Sequence, residues 1–156
     1  MTPHTELSPI DQKIISLLQK DARRSNKELA EAVGVAQSTC LERIRRLRDR
    51  GVIRGWHADI DLDALGRPIR ALISVKLQPK TTESVRDFQH DMLAAPETLA
   101  VSMVSGADDF IVEIGAPDVG GVRDFVLEHV TSRADVVDAR TSLIYEQVRR
   151  TSVEPL

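Results

Sequence analysis

Along the first third of the chain apolar residues recur every three or four positions, and along the second half they alternate with polar ones. The stretch "SPIDQKIISLLQKD" sets Ile10, Ile14, Leu17 and Leu18 at helical spacing. Ser8 can accept from the amide of Asp11, Pro9 suits the first helical position, and Asp11 can reach back toward the cap. In "SNKELAEAVG", Ser25 and Glu28 form a Ser-x-x-Glu capping box, Leu29 and Val33 face inward, and Gly34 ends the helix. After the link Gly34-Val35-Ala36, "QSTCLERIRRLRDR" predicts a third helix ending at Gly51. One face of it carries Cys40, Leu41, Ile44 and Leu47; the other carries Gln37, Ser38, Thr39, Glu42, Arg43 and Arg46.

The period then changes. "IRALISVKLQ" alternates strictly, with Ile69, Ala71, Ile73, Val75 and Leu77 on one side of a half-buried strand. "TTESVRDFQHDMLA" returns to helical spacing through Val85, Phe88 and Met92, and Pro96 breaks it. Strands over 98–105 and 109–115 follow, then a helix in "PDVGGVRDFVLEHV" capped by Asp118, with Val119, Val122, Val126 and Val130 inward. A last strand spans about 136–147. This order predicts an antiparallel sheet with both helices on one face. The fold class is α+β: an N-terminal winged-type helix-turn-helix, then a ferredoxin-like βαββαβ domain. The sheet's other face is uncovered, and a second copy of the domain is its natural cover, so a dimer is expected. Residues 1–52 form the first domain, 53–68 a linker strand and turn able to pair across that dimer, and 69–156 the second domain.

Composition narrows the class. The 156 residues are 42% apolar and 29% charged, an ordinary globular balance. No apolar run approaches the roughly 20 residues that span a bilayer, and "MTPHTELSPID" lacks the basic-then-apolar pattern of a leader, so a cytoplasmic protein is expected, with no membrane partner. The lone Cys40 has no disulfide partner and fits a buried thiol in a reducing compartment. Charge becomes informative when the chain is divided at Gly55: the first part holds 11 Lys or Arg against 7 Asp or Glu, the remainder 10 against 17. A basic head and an acidic body suit a polyanion partner at one end only, although a basic helix can also be a solvated face.

A helix, a short glycine-bearing turn and a helix with polar residues crowded at its start is the helix-turn-helix arrangement. The last helix fits the major groove of double-stranded DNA, where its first two turns reach base edges. Gln37 can bond adenine in bidentate fashion and Arg43 guanine, while Ser38 and Thr39 can reach base or phosphate. Arg45, Arg46, Arg48, Arg50 and Arg54 are better placed to hold phosphates. A three-helix protein-interaction domain with an arginine-rich rim is the competing reading.

Other chemistry is sparse. His4, His57, His90 and His129 lie far apart, with His57 and Asp59 the one near-pair, and no metal site or cofactor is expected. Gly120-Gly121 lacks the strand and Lys of a phosphate loop, and no catalytic constellation stands out, so no enzyme is expected. In "SGADDF", Gly106 supplies the freedom of a hairpin turn. Asp108 and Asp109 point to opposite faces and cannot easily share a metal or a proton.

The chain resembles the Lrp/AsnC family of transcription regulators along nearly its whole length. "LSPIDQKIISLLQKDARRSNKELAEAVGV" is similar to the family's opening helices, "CLERIRRLRDRGVIRGW" to its recognition helix and exit strand, and "VSGADDFIVEI" with "ARTSLI" to its effector domain. The resemblance implies a sequence-specific DNA-binding regulator, dimeric and often assembled into octamers or similar rings, that binds an amino acid or related metabolite between effector domains. It implies DNA contacts from Ser25, Asn26, Gln37, Ser38, Thr39, Glu42, Arg43 and Arg46, and effector contacts from Gly106, Asp108, Asp109, Val119, Thr141 and Ser142. Asp109 would receive an ammonium group while turn amides near Gly106 meet a carboxylate; the plainer role for Asp109 is to cap the turn. Two positions depart from the family pattern: Ala36 stands where a capping Ser is common, and Asp108 where an aromatic residue is common. An architectural DNA-wrapping protein and a metabolite-binding subunit without DNA affinity are the alternative functions.

Overall fold

The computed structural model describes residues 7–154, so His4 lies outside the described residues. The chain divides into two compact units, one running through Ala58 and rejoined by the segment from Val148, the other Asp59–Gln147. The C-terminal segment groups here with the head, and the expected linker 53–68 is divided, 53–58 falling in the first unit and 59–68 in the second.

In the head, α1 is Pro9–Lys20, α2 Asn26–Val33 and α3 Gln37–Asp49. The expected caps are present. Ser8 accepts from the amide of Asp11, and Ser25 and Glu28 close a full capping box. Gly34 takes a left-handed φ of 76°, which stops α2 where a side chain would be strained. Ile14, Leu29, Ala30, Cys40 and Leu47 make the buried core, with Leu17, Leu18, Val33 and Ile44 packed around it. Leu41 departs from expectation at 40% exposure. Cys40, Ile44 and Leu47 already fill the inward stripe of α3, and Leu41 sits about 100° around the helix from Cys40.

The second unit contains β1 Ile69–Leu77, α4 Thr82–Ala94, β2 Thr98–Met103, β3 Phe110–Ala116, α5 Val119–Phe125 running on through a π-helical turn Val126–Thr131, and β4 Val136–Ile144. The sheet is antiparallel in the order β2-β3-β1-β4. Its covered face packs Ala71, Ile73, Val75, Phe110, Val112 and Ile114 against Phe88 and Met92 of α4 and Val122 and Phe125 of α5. Val119 was expected inward but is 58% exposed: it is the first residue of α5, one turn short of the part that Val122 and Phe125 bury. The opposite face carries Arg70, Leu72, Ser74, Ile111 and Glu113, all only half-buried, with Arg70 and Glu113 ion-paired.

The strand ends also shift for identifiable reasons. β4 stops at Ile144 rather than near 147 because Ile144 pairs with Arg70, and β1 offers only one further residue. β2 and β3 close at Met103 opposite Phe110, with the Val104 amide donating to the Asp109 carbonyl at 2.9 Å, which leaves residues 105–108 for the turn. Among the described residues, 52–60 form no strand within one chain. Such a strand requires a backbone partner, and the pairing expected of this segment is across a dimer.

α3 begins without a side-chain cap, because the extended residue before it is the exposed Ala36. Ala36→Ser should therefore stabilise the protein by about 1 kcal/mol. An unchanged urea midpoint would mean that the first-turn amides of α3 gain nothing from the new hydroxyl.

Candidate nucleic-acid interface and effector site

The N-terminal turns of α3 leave Gln37, Ser38 and Thr39 exposed, followed on the same side by Glu42 and Arg46, which pair with each other at 3.0 Å. That pair is open to solvent and is readily exchanged for contacts to another molecule. Arg45, Arg48 and Arg54 line a hollow of about 360 Å³ beside Asp49 and Ile53, and the Arg48 guanidinium lies 5.1 Å from the centre of the Trp56 ring. Basic groups therefore extend from the middle of α3 past its end.

Three of the expected contact residues are engaged by other groups of the head, Ser25 and Asn26 at its surface and Arg43 part-buried. The Ser25 hydroxyl belongs to the capping box of α2. The Asn26 side-chain amide donates to the Gln37 carbonyl at 2.9 Å, tying the start of α2 to the start of α3. Arg43 points inward: one of its terminal nitrogens donates to Asp11 Oδ1 at 3.0 Å and to Ser8 Oγ at 3.1 Å. The Ser8 hydroxyl in turn donates to Asp11 Oδ2 at 2.6 Å while accepting from the Asp11 amide. Burial by itself would raise the Asp11 pKa, but the hydrogen bonds from Ser8 and Arg43 and the guanidinium charge outweigh it and hold the carboxyl below its ordinary value. With side-chain exposures of 30% for Arg43 and 12% for Asp11, the pair is largely withdrawn from solvent. Asp11 was foreseen only as a cap. Its partner lies 32 residues away, and no spacing rule connects the two.

The turn between β2 and β3 separates its two acids. Gly106 adopts φ 128°, a conformation open to glycine and strained for other residues. Asp108 pairs with Arg140 of β4. Asp109 is buried; one carboxylate oxygen accepts from the Leu77 amide at 2.9 Å and the other from Lys80 Nζ at 2.5 Å. The Lys80 hydrogen bond and then the Leu77 amide hold the Asp109 carboxyl below its ordinary range, against the opposing effect of burial. The ammonium group that Asp109 receives in this chain is thus that of Lys80. Thr141 pairs with Ile73 and Ser142 with Leu72, so these neighbours on β4 point to opposite faces of the sheet. Of the six expected effector residues, Gly106, Asp108 and Asp109 share the β2–β3 turn, Thr141 and Ser142 lie on β4 next to the Arg140 that pairs with Asp108, and Val119 begins α5. Lys80 and Arg140 were not anticipated, since only the folded hairpin brings them to the turn. Among the described residues no group of three or more His, Cys, Asp or Glu is gathered to hold a metal ion, and no helix is long and apolar enough to cross a membrane.

The architecture and both candidate regions agree with known families. A model described as the AsnC-type helix-turn-helix domain matches residues 7–48, and one described as the Lrp/AsnC ligand binding domain matches residues 70–154. The chain belongs to the Lrp/AsnC family. Among its Lrp/AsnC relatives, the HTH-type transcriptional regulator AldR of Mycobacterium tuberculosis is 45% identical over 92% of this chain and 80% of its own length. The leucine-responsive regulatory protein of Rhizobium meliloti is 37% identical over 96% of both. A solved transcriptional regulator of Neisseria meningitidis, in complex with L-Met, superposes with a TM-score of 0.87 at 28% identity, covering 96% of this chain and 97% of that one. As a Lrp/AsnC protein, the chain is a transcriptional regulator with a helix-turn-helix head and a ligand-binding domain.

The inward ion pair has a pH signature. Because the folded pKa of Asp11 lies below its unfolded value of about 3.9, its stabilisation is present above that pH and is lost as pH falls through the folded value. Asp11→Asn should cost about 1–3 kcal/mol at neutral pH. Urea titrations repeated down to strongly acidic pH should show the variant and wild-type curves converging; a difference that does not depend on pH would count against the ionised pair.

Proposed function

We propose that the chain regulates transcription by reading DNA with the exposed first turns of α3 while its second unit binds a small effector. The observation carrying this is the contrast along α3: Gln37, Ser38 and Thr39 stand open while Arg43 is held inside. Gln37, Ser38, Thr39, Glu42 and Arg46 supply base and near-base contacts; Arg45, Arg48, Arg50 and Arg54 hold phosphates. Ser25, Asn26 and Arg43 position the helix rather than touch bases. Assignment of Arg43 to the interior replaces the guanine contact expected of it.

The effector is an amino acid or a close relative of one, a reading supported by the L-Met complex of the Neisseria relative. Its site forms between copies of the chain, a reading supported by the opposite faces that Thr141 and Ser142 take on β4 and by the exposure of Val119. The half-buried face of Leu72, Ser74 and Ile111 is the surface a second copy covers to form a dimer. Dimers assemble further, to an octamer or a similar ring, and the protein works in the cytoplasm, where its DNA is, without enzymatic activity.

Binding to a selected DNA site, followed by fluorescence anisotropy across salt concentrations, tests the DNA reading. Gln37→Ala should lower specific affinity by about 1–3 kcal/mol and relax discrimination between bases. Arg48→Ala should weaken all sequences alike and reduce the salt slope by about 1. Folded protein without salt-sensitive binding to any sequence would end the proposal. For the effector, melting with each amino acid in turn should reveal a ligand that stabilises by about 2–4 kcal/mol when well above its dissociation constant. Asp108→Ala is the suitable probe of the site: Asp109→Ala should destabilise the hairpin by about 1–3 kcal/mol and lose response through folding.

A further inference from the structure

The head contains a feature that neither DNA reading nor effector binding uses. A groove of about 1290 Å³ runs between α1 and the segment leaving α3, walled by Ile15, Leu18, Val52, Ile53 and Trp56, and Val153 from the C-terminal segment lies at it. There the Gln19 side-chain amide bonds both backbone groups of one residue. Its nitrogen donates to the Val153 carbonyl at 3.0 Å, and its oxygen accepts from the Val153 amide at 2.6 Å. A primary amide offers the same donor and acceptor as a peptide group, so Gln19 meets Val153 as a neighbouring strand would. Recognition is through the main chain: the Val153 side chain itself is 64% exposed.

We propose that the C-terminal segment from Val148 to Glu154 is a strap that the head of the same chain binds as an extended peptide along this groove, with Gln19 as its clasp. The chain leaves the head's compact unit at Ala58 and re-enters it at Val148, so the head is joined to the second unit by two crossings rather than one. The strap follows β4 after only three residues, Tyr145 to Gln147. The strand that carries Arg140, Thr141 and Ser142 is therefore connected by a short covalent path to a contact on α1. Fastening the strap closes a loop through the whole second unit; releasing it leaves the head on its first linker alone.

The chain's single tryptophan, Trp56, lies in the groove wall and reports on the strap directly. A chain ending at Gln147 should show a red-shifted Trp56 emission and increased quenching by iodide. A synthetic peptide of residues 145–156 added to it should reverse both changes saturably. The same peptide with Val153→Pro, which lacks the amide hydrogen that Gln19 accepts, should fail to do so. In the full-length protein, Gln19→Ala should reproduce part of the emission shift with unchanged helical circular dichroism, and this variant decides the matter if the shortened chain does not fold. Trp56 emission and quenching that are the same in Gln19→Ala and wild type would overturn the proposal, as would equal rescue by the proline peptide. Cysteines at positions 22 and 154, which both line the groove and leave Gln19 in place, joined by a short bis-maleimide with Cys40 replaced by Ser, should link within one chain. A product of doubled mass would assign the strap to a neighbouring copy and refute the intramolecular form.

Discussion

The inward pairing of Arg43 with Asp11 and Ser8 is the constraint on which the head depends. A recognition helix is useful only if its exposed side is presented at a fixed angle, and the inward stripe of Cys40, Ile44 and Leu47 is joined in setting that angle by a polar contact. A charge-assisted hydrogen bond at 3.0 Å is directional where apolar packing is not. The Ser8 hydroxyl is used fully, accepting from the Asp11 amide and Arg43 and donating to Asp11, so that one small cluster caps α1 and orients α3. The Asn26 bond to the Gln37 carbonyl adds a second fixed point at the beginning of α3. With two such points along the helix, Gln37, Ser38 and Thr39 face outward together.

What was legible in the sequence follows from the range of the interaction concerned. Caps act over three residues, and Ser8, Ser25, Glu28, Gly34 and Asp118 could be assigned from neighbours alone. The alternation in Ile69–Leu77 and the helical spacing of Phe88 and Met92 likewise located the core face of the second unit. Side-chain partners distant in sequence could not be read. Arg43 looked like a base contact because its local surroundings are basic and polar, and only the path of α1 supplies the acid that turns it inward. The strand expected at 52–60 is absent within one chain for a related reason: alternation states that a segment can pair, and the pairing expected of this one is with a second copy.

The turn at Gly106 shows how two adjacent carboxylates acquire separate work. Asp109 is buried and takes one backbone amide and one ammonium, which binds the hairpin to the end of β1 and to Lys80. Asp108, itself half-buried, meets Arg140 on β4, whose side chain is open to solvent. The first arrangement removes a charge from circulation; the second leaves an acid and a base side by side at the surface. Replacement of a commonly aromatic residue by Asp108 therefore changes the character of the turn's exposed side without touching the interaction that holds the turn together. The exposed side of the turn thus presents opposite charges at Asp108 and Arg140 rather than a ring.

Salt separates the two uses of arginine in the head. Guanidinium groups as exposed as those of Arg45, Arg48 and Arg54 are free to meet a polyanion's phosphates, and contacts of that kind weaken steeply as ionic strength rises. The Arg43 pair is mostly withdrawn from solvent, where mobile ions screen charges much less. Raising salt should therefore detach the head from a polyanion while leaving the orientation of α3 intact, so that affinity changes without loss of the reading surface. Had Arg43 been one more phosphate contact, the helix would gain affinity at low salt and lose the bond that fixes its rotation. The division of labour among chemically identical side chains thus comes from a single acid on α1, and it keeps the geometry of recognition independent of the strength of attraction.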